Sequence, residues 1–346
     1  MGYTQEKDPV SWYYRTLSRA DQTFYKALVD GFRNYRTGIP AGNLKNFSDI
    51  MQDISASYPE LFYLPIRLSA QGGFLGGKTV RVQYVYPKVD ASRIRQQVDL
   101  AVNRFMKEYV DVSMADYDKA IAAHDYLRKI AVYDESAVSF SAGGPNRHFM
   151  ESHSIVGPLI NHTCVCEGYA KAFTYLCRNM GLECYSVYGT GNSAYERGPH
   201  MWNMVKISGF YHHVDVTWDK QFDSDPNMPN YSYFGLDDKT AARDHTWNRR
   251  YFPKSEECPG NFFHMNDALI SSRAQLENFL RNSIESEEPY ILFRVDPDSR
   301  FVMEIDGCLW DVMQSAQSRC RHVRVSSCQV QTFPEQHVYC VIAKYE

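Results

Sequence analysis

Three residue types that together can transfer an acyl group occur in a fixed order along this chain. They are a thiol at Cys166, an imidazole at His200 and a carboxylate at Asp215. Cys166 opens the run CEGYAKAFTYLCRNMG, His200 opens HMWNMV, and Asp215 lies in YHHVDVTWD. A thiolate attacks a carbonyl carbon, an imidazole takes and returns the proton, and a carboxylate holds that imidazole in one tautomer. Such chemistry needs the thiol where its ionised form is favoured, and the other two groups within reach of one another.

The elements that would position them can be read from spacing. Cys166, Tyr169, Ala170, Phe173, Cys177 and Met180 recur at helical intervals, and Gly181 supplies the residue expected just past a helix end. Cys166 then sits in the first turn, where free backbone N–H groups and the positive dipole end favour a thiolate. Leu182–Tyr188 reads as a strand, and Gly189 to Pro199 as a polar loop. The runs from His200 to Ile207 and from Phe210 to Trp218 read as a hairpin around Ser208-Gly209. A two-residue turn pairs Ile207 with Phe210, Trp202 with Asp215 and His200 with Thr217. His200, Trp202, Met204, Tyr211, His213, Asp215 and Thr217 then share one face, with His200 and Asp215 roughly 7–8 Å apart as diagonal neighbours. Val205, Ile207, Phe210, Val214 and Val216 form the opposite, core-facing side. A one-residue slip would separate His200 from Asp215, so the site depends on the register.

The stretches VCEGYAKAF, HMWNMV and YHHVDVTWD resemble the core of transglutaminase-like proteins, whose bacterial branch typically shows C-x-GYA-x-AF, HAWN and VDVTWDD. HDYLRKIAVYD, HSIVGPLINHTCVCEGYA and YSYFGLDDKTAARDHTW fit the same resemblance, which is strong over about residues 113–255. It implies that Cys166 is the nucleophile, His200 the base and Asp215 the third member. It also implies an α+β fold, with a papain-like core in which the nucleophile helix packs on an antiparallel sheet. Met201 stands where the family has a small residue, and Lys220 where it has an acidic one. The implied activity is a cysteine peptidase or amidase working on a peptide or protein substrate through a thioester. The alternatives are a transglutaminase-type acyl transferase or deamidase, and a non-catalytic scaffold that kept the fold.

The backbone N–H of Cys166 is a natural oxyanion donor. Trp202 and the Asn161–Thr163 segment are candidates for a second, and Trp202 has the packing role as its plainer reading. His162-x-Cys164-x-Cys166 lacks a second pair at zinc spacing, so no structural metal is expected. His212 and His213 read as bystanders, and His124 and His245 as structural. Gly72-Gly73 and Gly76-Gly77 follow no phosphate-loop pattern and read as a hairpin loop. Asp223, Asp225, Asp237 and Asp238 lack the spacing of a calcium loop. No cofactor or metal is required by the proposed chemistry.

The chain has 346 residues and a net charge of −4, which gives no footprint for nucleic acid. No apolar run reaches membrane-span length, and the start MGYTQEKDPVSWYY is not a signal peptide. Nine cysteines without framework spacing lean towards a reducing, cytoplasmic setting, although a removed export signal would also fit. Three modules are expected: a mostly helical one with a β-hairpin over 1–110, the core over 111–255, and a small α/β module over 256–346. Capping boxes at Ser18-x-x-Asp21, Ser113-x-x-Asp116 and Ser272-x-x-Gln275 mark helix starts. Strands are expected at Leu61–Leu68, Lys78–Tyr86, Tyr290–Val295, around Val323–Val325 and at Val338–Ala343. Helices are expected over 91–109 and near Trp310–Ser318.

Overall fold

The computed structural model describes residues 11–41, 45–72, 78–139, 145–193, 197–221 and 227–346. Gly73, Gly76, Gly77, Asp223 and Asp225 lie outside them. The first part runs α1 (Arg19–Arg33), β1 (Gly38–Ala41), α2 (Phe47–Ser57), β2 (Pro65–Gly72), β3 (Lys78–Tyr84) and α3 (Lys88–Tyr109). Ser18 caps α1 by accepting the Asp21 N–H, as the capping box predicts. The expected hairpin is β2–β3, and β1 joins it as a third strand. The strand expected from Leu61 begins only at Pro65, because Pro59–Leu61 form a 3-10 turn.

The middle part holds α4 (Asp116–Ile130), β4 (Val132–Tyr133), α5 (Arg147–Ser152), β5 (Thr163–Cys164) and α6 (Cys166–Asn179). It continues through β6 (Cys184–Asn192), β7 (Arg197–Ile207), β8 (Phe210–Val214), α7 (Val216–Gln221), β9 (Phe234–Leu236), α8 (Asp238–Ala241) and β10 (His245–Trp247). The Ser113 capping box does not form. Ser113 turns back to Asp111, Ala115 takes the cap position, and Asp116 accepts from the Ser208 N–H instead. The antiparallel sheet has the order β10-β6-β7-β8-β9, and α6 packs against β6 and β7. This is the α+β core that the sequence patterns imply.

Helix α6 is buried on more than its apolar face. Tyr169, Phe173 and Leu176 are fully enclosed, each stabilising the fold by roughly 1.5–3 kcal/mol. Buried polar links reinforce this packing. Asn203 on β7 donates to the Ala170 carbonyl and to Thr174, and Thr174 meets Ser186 on β6 at 2.8 Å. At the far end, the Leu182 N–H bonds the Cys177 carbonyl and Gly181 has φ +85°, which closes the helix as its glycine predicts.

The last part comprises α9 (Phe262–Met265), β11 (Leu269–Ile270), α10 (Arg273–Glu285), β12 (Tyr290–Val295), α11 (Ile305–Arg319), β13 (Val325–Phe333) and β14 (Val338–Tyr345). Its sheet has the order β11-β12-β14-β13. Ser272 caps α10 as expected. One apolar cluster runs from Tyr13 to Phe234, and another gathers Met228 and the residues from Phe263 to Val341. All nine cysteines are free, and no helix among the described residues is long and apolar enough to cross a membrane.

Candidate active site

The first turn of α6 is fixed from several sides. Glu167 meets Lys171 at 2.5 Å and His153 at 2.8 Å, and Lys171 also donates to Ser55 of α2 and to the His153 carbonyl. Burial acts to raise the Glu167 carboxyl, but the Lys171 ammonium and then His153 bring it down to about 2. Gly168 lets the helix approach Ser152, since a Cβ there would lie 2.5 Å from the Ser152 carbonyl oxygen. A cavity of about 140 Å³ opens beside this turn, lined by Tyr58, Phe62, Phe149 and Met150 among others. Cys166 is the first residue of α6 and is partly exposed, with its thiol against the His200 imidazole.

His200 comes from β7 and Asp215 from the end of β8. The hairpin register is as expected from Ile207↔Phe210 to Asn203↔Val214, around a turn with φ +51° at Ser208 and +93° at Gly209. Beyond Val214 the expectation fails. Phe210 is 40 % exposed rather than core, and Val216–Gln221 forms a helix, so Trp202–Asp215 and His200–Thr217 are not strand pairs. Asp215 causes the change: its Oδ1 accepts the Thr217 and Trp218 N–H groups at 3.0 and 3.2 Å and starts α7. Its other oxygen is thereby aimed at His200 Nε2, 2.6 Å away. The expected polar loop after Tyr188 is also absent over Gly189–Asn192, where β6 continues and places Gly189 opposite His200.

Both residues are buried. Burial acts to lower the His200 imidazolium, but the Asp215 carboxylate outweighs it and raises it well above the usual histidine range. Burial pushes Asp215 up, but His200 and then His245 hold it well below the usual carboxylate range. His200 Nδ1 is buried and has no hydrogen-bond partner within normal distance. The thiol of Cys166 is close enough to act on the ring without closing that bond, as happens in unliganded thiol sites that tighten on substrate.

Two indoles frame the imidazole. The Trp218 ring stacks on His200 at 4.8 Å and 21°, and Trp202 at 6.0 Å and 17°. Gly191 makes room for this, because a Cβ there would lie 2.7 Å from the Trp218 ring and 3.3 Å from His200 Cβ. Gly191→Ala is expected to destabilise the fold by about 1–3 kcal/mol, read by urea denaturation, because the ring is rigid and enclosed. Met201, the departure beside His200, packs with Ala56 of α2, Ala170 and Tyr188.

Other candidates fall away or change role. Trp202 Nε1 donates its single N–H to His213 Nδ1 at 2.9 Å, so the indole is not free for an oxyanion, while Asn161 gives one of its two amide protons to Glu151. His213 Nε2 meets Asp238, and His212 is held between the Phe210 carbonyl and the Gly260 N–H, so each has both ring nitrogens in use. His124 meets Asp219 of α7 and Asp125, and holds α4 to α7. His162 is exposed while Cys164 is buried, and they do not converge with Cys166 as ligands among the described residues.

His245 was expected to be structural only, yet it meets Asp215 Oδ2 at 3.1 Å through Nε2. It arrives on β10, which pairs His245 with Gly191 on β6. The signal was an acid–histidine–aromatic sequence, Asp244-His245-Thr-Trp247, within a segment already part of the resemblance. His200, Asp215 and His245 bring three possible ligand atoms within 4.8 Å of one another. The 2.6 Å His200–Asp215 spacing is that of a charge-assisted hydrogen bond, shorter than the roughly 3.3 Å between two ligands of one tetrahedral ion.

Residues 103–216 match the family model described as the Transglutaminase-like superfamily, so this stretch is similar to a transglutaminase-like core. The Mus musculus protein named Kyphoscoliosis peptidase is 28% identical over 142 residues, 39% of this chain and 20% of that protein. Its Homo sapiens counterpart is 39% identical over 61 residues, 15% of this chain and 9% of that protein. The match thus spans a fifth or less of these relatives. A crystal structure of a TGase is similar at 13% identity over 44% of each chain, with a TM-score of 0.31.

Proposed function

We propose that this protein is a thiol-dependent enzyme that acts on peptide or protein amide bonds through a thioester, most simply a cysteine peptidase or amidase. The observation that carries this reading is the state of His200: Nε2 is bonded to Asp215 at 2.6 Å, while Nδ1 is buried, unpartnered and beside the Cys166 thiol. A satisfied core histidine would not leave one nitrogen unpaired. Cys166 gives its proton to His200 Nδ1, and its sulfur attacks the carbonyl carbon. The oxyanion forms at the free N–H groups that begin α6. The imidazolium then protonates the leaving amine, and water resolves the thioester to the acid and the free thiol. Residues 1–110 and 256–346 are the flanking modules of this core.

Intact-mass measurement of a peptide mixture, with and without a primary amine, tests the reading. Cleavage products are expected to dominate, to survive a chelator and to disappear after thiol alkylation. A one-dalton gain without cleavage would mean deamidation, and an amine adduct that outruns cleavage would mean acyl transfer. Substrate turnover that persists after complete alkylation of Cys166 would remove the thiol mechanism.

A further inference from the structure

We propose that His245 is a positioning residue of this site, clamped between Asp215 and Asp244, and that the C-terminal sheet anchors the clamp through Gln336. The proposal rests on the reading of Cys166 and His200 as nucleophile and base.

Each ring nitrogen of His245 faces a carboxylate oxygen. Nε2 lies 3.1 Å from Asp215 Oδ2, and Nδ1 lies 2.7 Å from Asp244 Oδ1. An ionised carboxylate only accepts, so both contacts are hydrogen bonds only when both nitrogens carry protons, that is, when the ring is a cation. Burial opposes that charge, but the hydrogen bonds that the ring donates to Asp215 and Asp244 outweigh it and raise the imidazolium above its usual range. Asp244 is itself held. Its Oδ2 accepts from the Tyr233 hydroxyl and from Gln336 Nε2, each at 2.9 Å. Gln336 is fully enclosed, and its carbonyl groups take the Arg294 guanidinium at 2.6 and 2.9 Å. Arg294 also donates to the Ser232 carbonyl.

An ordinary buried histidine would be satisfied by one acceptor and would stay neutral. This one shares a single oxygen with His200, because Asp215 Oδ2 accepts from both rings. Two consequences follow. The carboxylate cannot rotate towards either ring without losing the other, so His200 is held in one orientation. The cation also offsets part of the Asp215 charge. The groups facing His245 are Asp215 beside α7, Asp244 on its own segment, His200 on β7, His213 on β8 and Tyr233 before β9, together with the indoles of Trp202 and Trp218. Of these, His213 accepts from Trp202 at Nδ1 and is held neutral. The His245 cation, 5.6 Å from the His200 ring, therefore lowers the affinity of His200 for protons. At an effective dielectric constant of about 40 the effect is about one pH unit.

The test measures, in the full-length chain, the pH dependence of Cys166 alkylation by iodoacetamide and the NMR titration of the His200 ring. His245→Gln removes the cation and leaves Asp244 charged. The His200 midpoint is expected to rise by about one pH unit. Asp244→Asn removes one of the two carboxylates that hold the cation, so the His200 midpoint is expected to rise here too, by less than in His245→Gln because a negative charge leaves with it. A slower reaction with an unmoved His200 midpoint in both variants, or a midpoint that falls in His245→Gln, would overturn the proposal. Should the Gln variant fail to fold, Tyr233→Phe takes its place: it strips one donor from Asp244, a smaller rise is expected, and an unmoved His200 midpoint counts against the clamp. An inert Cys166 in the unmodified protein sinks the nucleophile reading alone, because the His200 titration still decides the role of His245.

Discussion

Cys166→Ala is expected to abolish turnover, by at least about a thousandfold, while leaving the fold in place. The side chain is partly exposed at the first position of α6 and makes no structural hydrogen bond that alanine would forfeit within the helix. Stability should therefore change by less than about 1 kcal/mol. The helix is held by Tyr169, Phe173 and Leu176, and by the Asn203 and Glu167–Lys171 links, none of which involves the thiol. Peptide turnover and a urea unfolding curve on the same preparation check both halves. Among nine cysteines, Cys166 should also be the first alkylated at neutral pH, because Cys164, Cys177, Cys184 and Cys340 are buried and partial burial raises the thiols of Cys258, Cys308, Cys320 and Cys328. Faster labelling of any other cysteine would move the nucleophile elsewhere.

Asp215→Asn is the second large effect, and it acts through tautomers. The amide can still offer its oxygen to the Thr217 and Trp218 N–H groups, which keeps α7 capped. Its NH₂ must then face His200 and His245, and each ring must present a lone pair at Nε2. The remaining proton of His200 goes to Nδ1 and points at Cys166, so the imidazole cannot accept the thiol proton. A loss of about ten-thousandfold in kcat/KM at neutral pH is expected, with a near-native circular dichroism spectrum. Asp215→Ala should be worse for folding, because two rings and two backbone N–H groups lose their acceptor. The carboxyl is held below its unfolded range, so its contribution to stability is present above about pH 4 and is lost as pH falls through the folded value. Retention of full activity in the Asn variant would show that the carboxylate does not set the tautomer.

What could be read in the sequence follows from how locally each feature is determined. Helix α6 has a clear apolar period and a glycine end, so it emerged with nearly correct limits, and the hairpin has alternating residues and a two-residue turn, so its turn and register emerged correctly although its strand ends did not. Asp215 did not emerge correctly. Val-Asp-Val-Thr-Trp is rich in strand formers, but one carboxylate that captures two N–H groups turns the chain into α7. That competition between side chain and backbone is invisible to periodicity. The continuation of β6 through Gly189 and Gly191 was also hidden, since glycines signal loops until an indole and a neighbouring strand are seen to need the space. His245 lies 30 residues from Asp215 and reaches it on a three-residue edge strand. No local pattern announces such a contact, although the acid beside the histidine was a usable clue.

The bond between Asp244 and Gln336 closes a loop of 92 residues. The His200–Asp215 contact closes one of 15, within a hairpin. Loop closure costs more as the intervening chain lengthens, so the hairpin can order early while the clamp on Asp244 must wait for the last sheet to dock. During synthesis, a chain that has emerged only as far as β10 already contains the thiol, both histidines and both aspartates, but not the amide that fixes Asp244. Substitutions in β12 and β14, remote from Cys166 in sequence, thus belong with the determinants of when the site becomes competent, and a defect there would first be felt as slow maturation of the newborn chain.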